Sequence, residues 1–209
     1  MTGSSDTSNA VTPGATQVHP VRIAVIGASA GGVDALLALL SGLPAGWRLP
    51  IVVVLHLPEH YQSRLPEVFA QRLPFPAREA LDKLPVAEGT LYFAPSGYHL
   101  SIESDLCFSL SCEPPVLFSR PAIDILMTSA ADAYGPSLVG ILLTGANEDG
   151  AQGLLRIHEA GGLTVVQDPA EASVPTMPRA ALALHEPDHV LPLREIRALL
   201  MQLDATHAH

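Results

Sequence analysis

The sequence predicts an α/β domain: a doubly wound, mostly parallel sheet with helices on both faces and an antiparallel hairpin extension. Three observations carry that expectation. Short runs rich in branched apolar residues recur at Val21–Ile26, Ile51–Leu55, Leu138–Leu143 and Leu163–Val166. Runs of about four to eight such residues are strands buried on both faces, the parallel kind. Stretches with helical spacing alternate with them, and alternation of this sort builds a sheet with helices packed on it. Between residues 75 and 110 the pattern changes to short β-rich pieces broken by turn residues.

Taken in order, Val21–Ile26 is the first strand, and Leu36, Leu37, Leu39 and Leu40 mark one face of a helix over Val33–Leu40. After the strand Ile51–Leu55, residues Leu65, Val68, Phe69 and Leu73 recur at helical spacing. Leu91-Tyr92-Phe93, Tyr98–Ile102 and Leu106–Leu110 are separated by Pro95-Ser96-Gly97 and Glu103-Ser104-Asp105. The last two read as a hairpin, expected to add antiparallel strands to the parallel sheet. Helical spacing returns over Ile123–Tyr134, and the strand Leu138–Leu143 follows. Ala151–Ala160 is a helix stopped by Gly161-Gly162. The strand Leu163–Val166 and a last helix over Arg194–Leu203 complete the expected elements. The pattern divides the chain into a flexible leader (1–19), one domain (20–203) and a short tail (204–209) that holds the terminal His207 and His209.

Composition excludes several classes of function. A formal charge of −10 argues against nucleic acid, whose phosphates need a basic patch, and against anionic membrane surfaces. No apolar stretch approaches the ~20 residues of a membrane span, and the first twenty residues lack the basic start and apolar middle of a secretion signal. Cys107 and Cys112 fit neither a metal nor a redox spacing and read as buried free thiols. A cytoplasmic protein follows from these features.

Chemistry-bearing residues stand where the strands end. Ser29 follows Val25-Ile26-Gly27-Ala28, His56 follows Ile51–Leu55, and Asp149 lies just beyond Ile141-Leu142-Leu143. In open α/β sheets, ligands bind in the crevice beyond the carboxyl ends of the strands. A hydroxyl, an imidazole and a carboxylate at that edge are the parts of acyl transfer: nucleophile, general base, and the group that fixes the base's tautomer. Small neighbours around Ser29 (Gly27, Ala28, Ala30, Gly31, Gly32) suit a sharp turn with exposed amides, although the GxSxG pattern is absent. Simpler roles stay open: Ser29 and Asp149 as helix caps, and His56 as a structural residue. The glycines are spaced GxxxGG rather than GxGxxG, which disfavours a dinucleotide. His56 and His60 form HxxxH, but Pro58 between them disfavours a helical metal pair. No metal and no cofactor are expected.

Several segments together resemble the catalytic domain of the chemotaxis protein-glutamate methylesterase (CheB) family. They are Ile26–Gly32, His56-Leu57-Pro58, Ala94–Leu100, Arg120–Asp124, Leu143–Ala151, Gln167-Asp168 and Met177–Ala180. The resemblance implies Ser29 as nucleophile, His56 as base and Asp149 as its orienting partner. It implies an oxyanion held by the backbone amide of Ala146, with the amide of Ala30 or Gly31 as second donor. The implied reaction is hydrolysis of glutamate γ-methyl esters on methyl-accepting chemotaxis receptors or related signalling proteins, with deamidation of glutamine by the same route. His99 and Arg179 are candidates for substrate contact or support. Where the family commonly has Thr, Gln and Met-Gly-Asn, this chain has Ala30, Leu55 and Ala146-Asn147-Glu148. About twenty polar residues precede the first strand, so any regulator is expected to be a separate protein acting in trans. A general esterase or amidase, and a non-catalytic signalling module of the same fold, are the competing readings.

Overall fold

The structure is a computed structural model that describes residues 19–56 and 64–207. Seven strands make one wholly parallel sheet: β1 (Ile23–Ala28), β2 (Ile51–Leu55), β3 (Ala77–Glu79), β4 (Leu91–Phe93), β7 (Leu138–Leu142), β8 (Leu163–Gln167) and β9 (His189–Leu191). Their order is β3-β4-β2-β1-β7-β8-β9. The chain therefore enters at the centre, winds outward through β2 to one edge, and returns beside β1 with β7. That reversal puts a crevice beyond the carboxyl ends of β1 and β7.

Alternation along the strands splits the core in two. Ala24, Ile26, Ala28, Val53 and Leu55 face α1 (Gly32–Leu40), α2 (Leu65–Ala70) and α6 (Leu193–His207). Ile23, Val25, Val52, Val54 and Leu142 face α3 (Ile123–Tyr134), α4 (Ala151–Glu159) and α5 (Thr176–Leu184). Every residue of β1, β2 and β7 is buried, as two covered faces require. Burying each large side chain contributes roughly 1.5–3 kcal/mol. Gly27 matters to this packing: a Cβ there would overlap Ile123 Cγ2, so a bare backbone lets the start of α3 lie close over β1.

Several expectations need correction. β4, expected among the antiparallel pieces, pairs parallel with β2. The hairpin is β5 (His99–Ile102) with β6 (Phe108–Ser111); it forms a separate two-stranded sheet against α3 and does not extend the main one. The edge strands β3 and β9 escaped notice because, unlike the equally short but fully buried β4, they are only partly covered and need no run of apolar residues. Helix α5 has Pro178 in its first turn, which obscures its periodicity. The last helix runs on to His207, where a tail was expected: Asp204 accepts the amides of Arg48 and Leu49 at 2.8 and 2.7 Å, and the His207 ring lies 3.1 Å from the Val21 carbonyl. Both cysteines are free, but Cys112 is exposed and Cys107 half-buried, because they flank a strand of the small, partly open sheet. The leader through residue 18, together with His60 and His209, lies outside the described residues.

Candidate active site

Ser29 follows directly on β1. Its amide donates to the Thr144 carbonyl at 3.0 Å and its carbonyl accepts from Gly32 at 2.8 Å, so the chain turns at once into α1. The helix is capped at Gly31, at φ +77°, a conformation in which a side chain would be strained. Ser29 is therefore not the cap of α1, and the simpler role for it fails. Buried Thr144 braces the turn: its hydroxyl donates to the Ala30 carbonyl at 2.9 Å and accepts the Val174 amide at 2.9 Å. Its own amide donates to Gln167 Oε1 at 2.9 Å, which gives the buried end of β8 a supporting role.

His56 is placed by the β1–β2 register, which pairs Ala28 with Leu55 and sends the His56 amide to the Ala28 carbonyl at 3.1 Å. Leu55 packs on the α1 side, and a Cβ on Gly32 would lie 2.6 Å from it. The same alternation, carried one residue on, sends Ser29 and His56 to the α3 side. Leu55 thus stands where the family has a polar residue but points away from the imidazole.

Asp149 is wholly buried. Its Oδ2 accepts from His56 Nε2 at 2.7 Å and from the Ile123 amide at 2.7 Å, and its Oδ1 accepts the Asp124 amide at 2.9 Å. The carboxylate sits on the first amides of α3, where three donors and the positive end of the helix offset its burial. The simpler alternative, a cap of its own helix, does not hold for Asp149, which sits on the start of the neighbouring one. Asp124 returns the arrangement: its Oδ1 accepts the Gly150 and Gly153 amides at the start of α4, at 2.9 and 2.7 Å. Burial pushes the Asp124 carboxyl up to about 6, and the Asp149 charge pushes the same way, against the two amides that pull it down.

An ionised carboxylate only accepts, so the His56 proton resides on Nε2 and the lone pair on Nδ1. The atom able to act as base is therefore Nδ1. It lies 3.3 Å from Ser119 Oγ. Among the described residues, Ser29 Oγ makes no hydrogen bond. Ala30 and Ala146 are exposed, and their amides likewise have no protein acceptor among the described residues.

The remaining candidates divide. Buried His99 accepts the Ala122 amide on Nδ1 at 3.2 Å and donates from Nε2 to the Pro114 carbonyl at 3.1 Å. It pins the segment that leads into α3, with both ring nitrogens engaged by backbone. Arg179 is exposed on α5, and its side chain has no partner among the described residues. A cavity of about 450 Å³, lined by Val116, Leu117, Asp124, Glu148, Ala151 and Leu184, adjoins the site. A larger one, about 500 Å³, lies at the amino ends of β1, β7 and β8, away from the carboxyl ends where His56 and Asp149 meet. Among the described residues no cluster of His, Cys, Asp or Glu is placed to hold a metal ion. Sequence reasoning missed Ser119, Asp124 and Thr144. Asp124 and Thr144 left a signal, as members of the Arg120–Asp124 and Leu143–Ala151 segments, whereas Ser119 left none.

Comparison with known proteins gives a consistent picture. The family model described as CheB methylesterase matches residues 24–200. A Leptospira interrogans protein, named provisionally as a protein-glutamate methylesterase/protein-glutamine glutaminase, is 43% identical over 180 residues, 86% of this chain and 93% of its own. Protein-glutamate methylesterase/protein-glutamine glutaminase 1 of Hahella chejuensis is 42% identical over 85% of this chain, which spans 50% of that protein. The crystal structure of the Thermotoga maritima CheB methylesterase catalytic domain superposes with a TM-score of 0.84 at 30% identity, covering 88% of this chain and 98% of that one.

Proposed function

The chain belongs to the CheB methylesterase family, and on that footing we propose that it hydrolyses glutamate γ-methyl esters on a methyl-accepting chemotaxis receptor or related signalling protein. Ser29 Oγ attacks the side-chain ester carbonyl while its proton passes to His56 Nδ1. The amides of Ala146 and Ala30 hold the oxyanion, and Asp149 stabilises the imidazolium through Nε2. The imidazolium gives its proton to the departing methoxide, methanol leaves, and an acyl-enzyme remains. Water, deprotonated by the same nitrogen, attacks that ester; Ser29 recovers its proton and the glutamate carboxylate is released. A glutamine amide would follow the same route with ammonia as leaving group, in keeping with the double name of the relatives.

One observation carries this reading: the 2.7 Å contact between His56 Nε2 and the fully buried Asp149, made at the carboxyl ends of the strands, where Ser29 directly follows β1. No helix among the described residues is long and apolar enough to cross a membrane. The reading places the protein in the cytoplasm, acting on the cytoplasmic helices of its receptor.

Methanol release from a methylated receptor signalling fragment tests the proposal. Ser29→Ala should remove nearly all turnover with the fold intact, leaving only what binding and the oxyanion site supply. Turnover at the wild-type rate in that variant would refute Ser29 as nucleophile. Release from small esters but never from receptor fragments would point to a general esterase.

A further inference from the structure

We propose that Ser119 is a positioning residue that occupies the acceptor nitrogen of His56 in the resting protein and yields it to Ser29 before attack. The inference rests on the assignment of Ser29 and His56 above and adds a control on their encounter.

A neutral imidazole has one donor and one acceptor nitrogen. The donor, Nε2, is committed to Asp149 at 2.7 Å. The single lone pair, on Nδ1, faces Ser119 Oγ at 3.3 Å. Two hydroxyls therefore compete for one acceptor, and the one that holds it is not the nucleophile. At 3.3 Å the bond is long and readily given up. Among the described residues the ring's hydrogen-bond partners are Asp149 and Ser119, and Asp149, an ionised acceptor, offers Nδ1 no donor.

Ser119 is held in place by a built turn. Val116 and Ser119 exchange amide-to-carbonyl bonds of 3.1 and 2.8 Å. Between them Leu117 and Phe118 sit at φ +48° and +64°, left-handed conformations unusual for residues with large side chains. Arg120 fastens the following segment by donating to the carbonyls of Cys112 and Glu113 at 3.1 and 3.0 Å. The hydroxyl of Ser119 thus has a defined position against the ring. In the acylation step no bond to Ser119 forms or breaks. Its O–H turns away, the Ser29 proton moves to Nδ1, and the Ser119 oxygen is then free to accept from Nδ1–H.

The test is the second-order rate at which a small serine-directed phosphonate labels Ser29, measured on the alkaline plateau of the pH profile. Ser119→Ala and Ser119→Val, which lack the hydroxyl, should label about two- to ten-fold faster than wild type, the worth of one neutral hydrogen bond. Ser119→Thr, which keeps the hydroxyl, should label at the wild-type rate. A residue that only shaped the turn would not produce a gain tied to the hydroxyl. Rates equal to or below wild type in both hydroxyl-free variants would overturn the proposal. Labelling that persists in Ser29→Ala would overturn the assignment of the nucleophile instead, so the two failures are distinguishable.

Discussion

Replacing Asp124 by Asn should stabilise the protein at neutral pH and flatten its response to acid. Asp124 accepts two amides at the start of α4 through a single oxygen, so an Asn carbonyl can keep both bonds. The other oxygen becomes an NH2 group, which does not repel the Asp149 carboxylate. Burial, followed by the Asp149 charge, raises the Asp124 carboxyl from the ordinary 3.8 to about 6. A carboxyl raised on folding binds its proton more tightly in the native state. Its contribution is therefore complete below about pH 4 and is lost as pH climbs through 6. At about 1.4 kcal/mol for each tenfold in proton affinity, that loss has a ceiling of about 3 kcal/mol. Asp124 is only partly covered, and solvent screening lowers the expectation to about 1–2 kcal/mol. Urea unfolding from pH 4 to 8 reads it directly. The Asp124→Asn protein and wild type should have similar stability near pH 4 and separate as pH rises, with the variant the more stable of the two at pH 7.5. Parallel curves across the whole range, or a wild type more stable at pH 7.5, would refute the reasoning.

Two further outcomes follow from the same geometry. Asp149→Asn should lower kcat for methanol release by roughly 10³–10⁴-fold, because a neutral amide lacks the charge that stabilises the imidazolium, even where its carbonyl still accepts from Nε2. The same variant should lose about 1–3 kcal/mol in urea, since one amide donor at the start of α3 faces another donor. Thr144→Val keeps the shape but removes the partner of the Val174 amide and of the Ala30 carbonyl. It should cost about 1–3 kcal/mol in urea and slow phosphonate labelling of Ser29. Labelling at the wild-type rate would mean the Ser29 turn holds without that hydroxyl.

How much of this was legible in the sequence depends on the range of the interaction involved. β1, β2 and β7 announce themselves because a strand covered on both faces needs apolar residues at every position, and a run such as Ile51-Val52-Val53-Val54-Leu55 suits little else. Once those strands are parallel neighbours, their carboxyl ends coincide, which brings the residues just beyond β1 and β2, Ser29 and His56, side by side; Asp149, farther along the loop from β7, meets His56 only because α3 holds it. The same logic resolves Leu55: one step along the strand reverses the side of the sheet, so its departure from the family pattern falls in the core and spares the imidazole. β3 and β9 carry no such pattern. Three residues at a sheet edge need little apolar character, and Ala77-Arg78-Glu79 has almost none.

What sequence could not give is the way the two helix starts lock. Asp149, just ahead of α4, accepts the amides of Ile123 and Asp124, while Asp124, on α3, accepts those of Gly150 and Gly153. Each helix begins on the other's carboxylate, over separations of 25 to 29 residues, which no local cap rule anticipates. The consequence reaches the chemistry. Because Asp149 is fixed from α3, it meets His56 at Nε2, and the proton must reside there; the lone pair is then on Nδ1, the nitrogen that Ser119 also touches. A reading limited to residue types at strand ends finds the three groups but cannot say which nitrogen works. That choice is made by the crossing of α3 with α4, so the packing that buries Asp149 also sets which side of the ring carries the lone pair that the proposed mechanism needs.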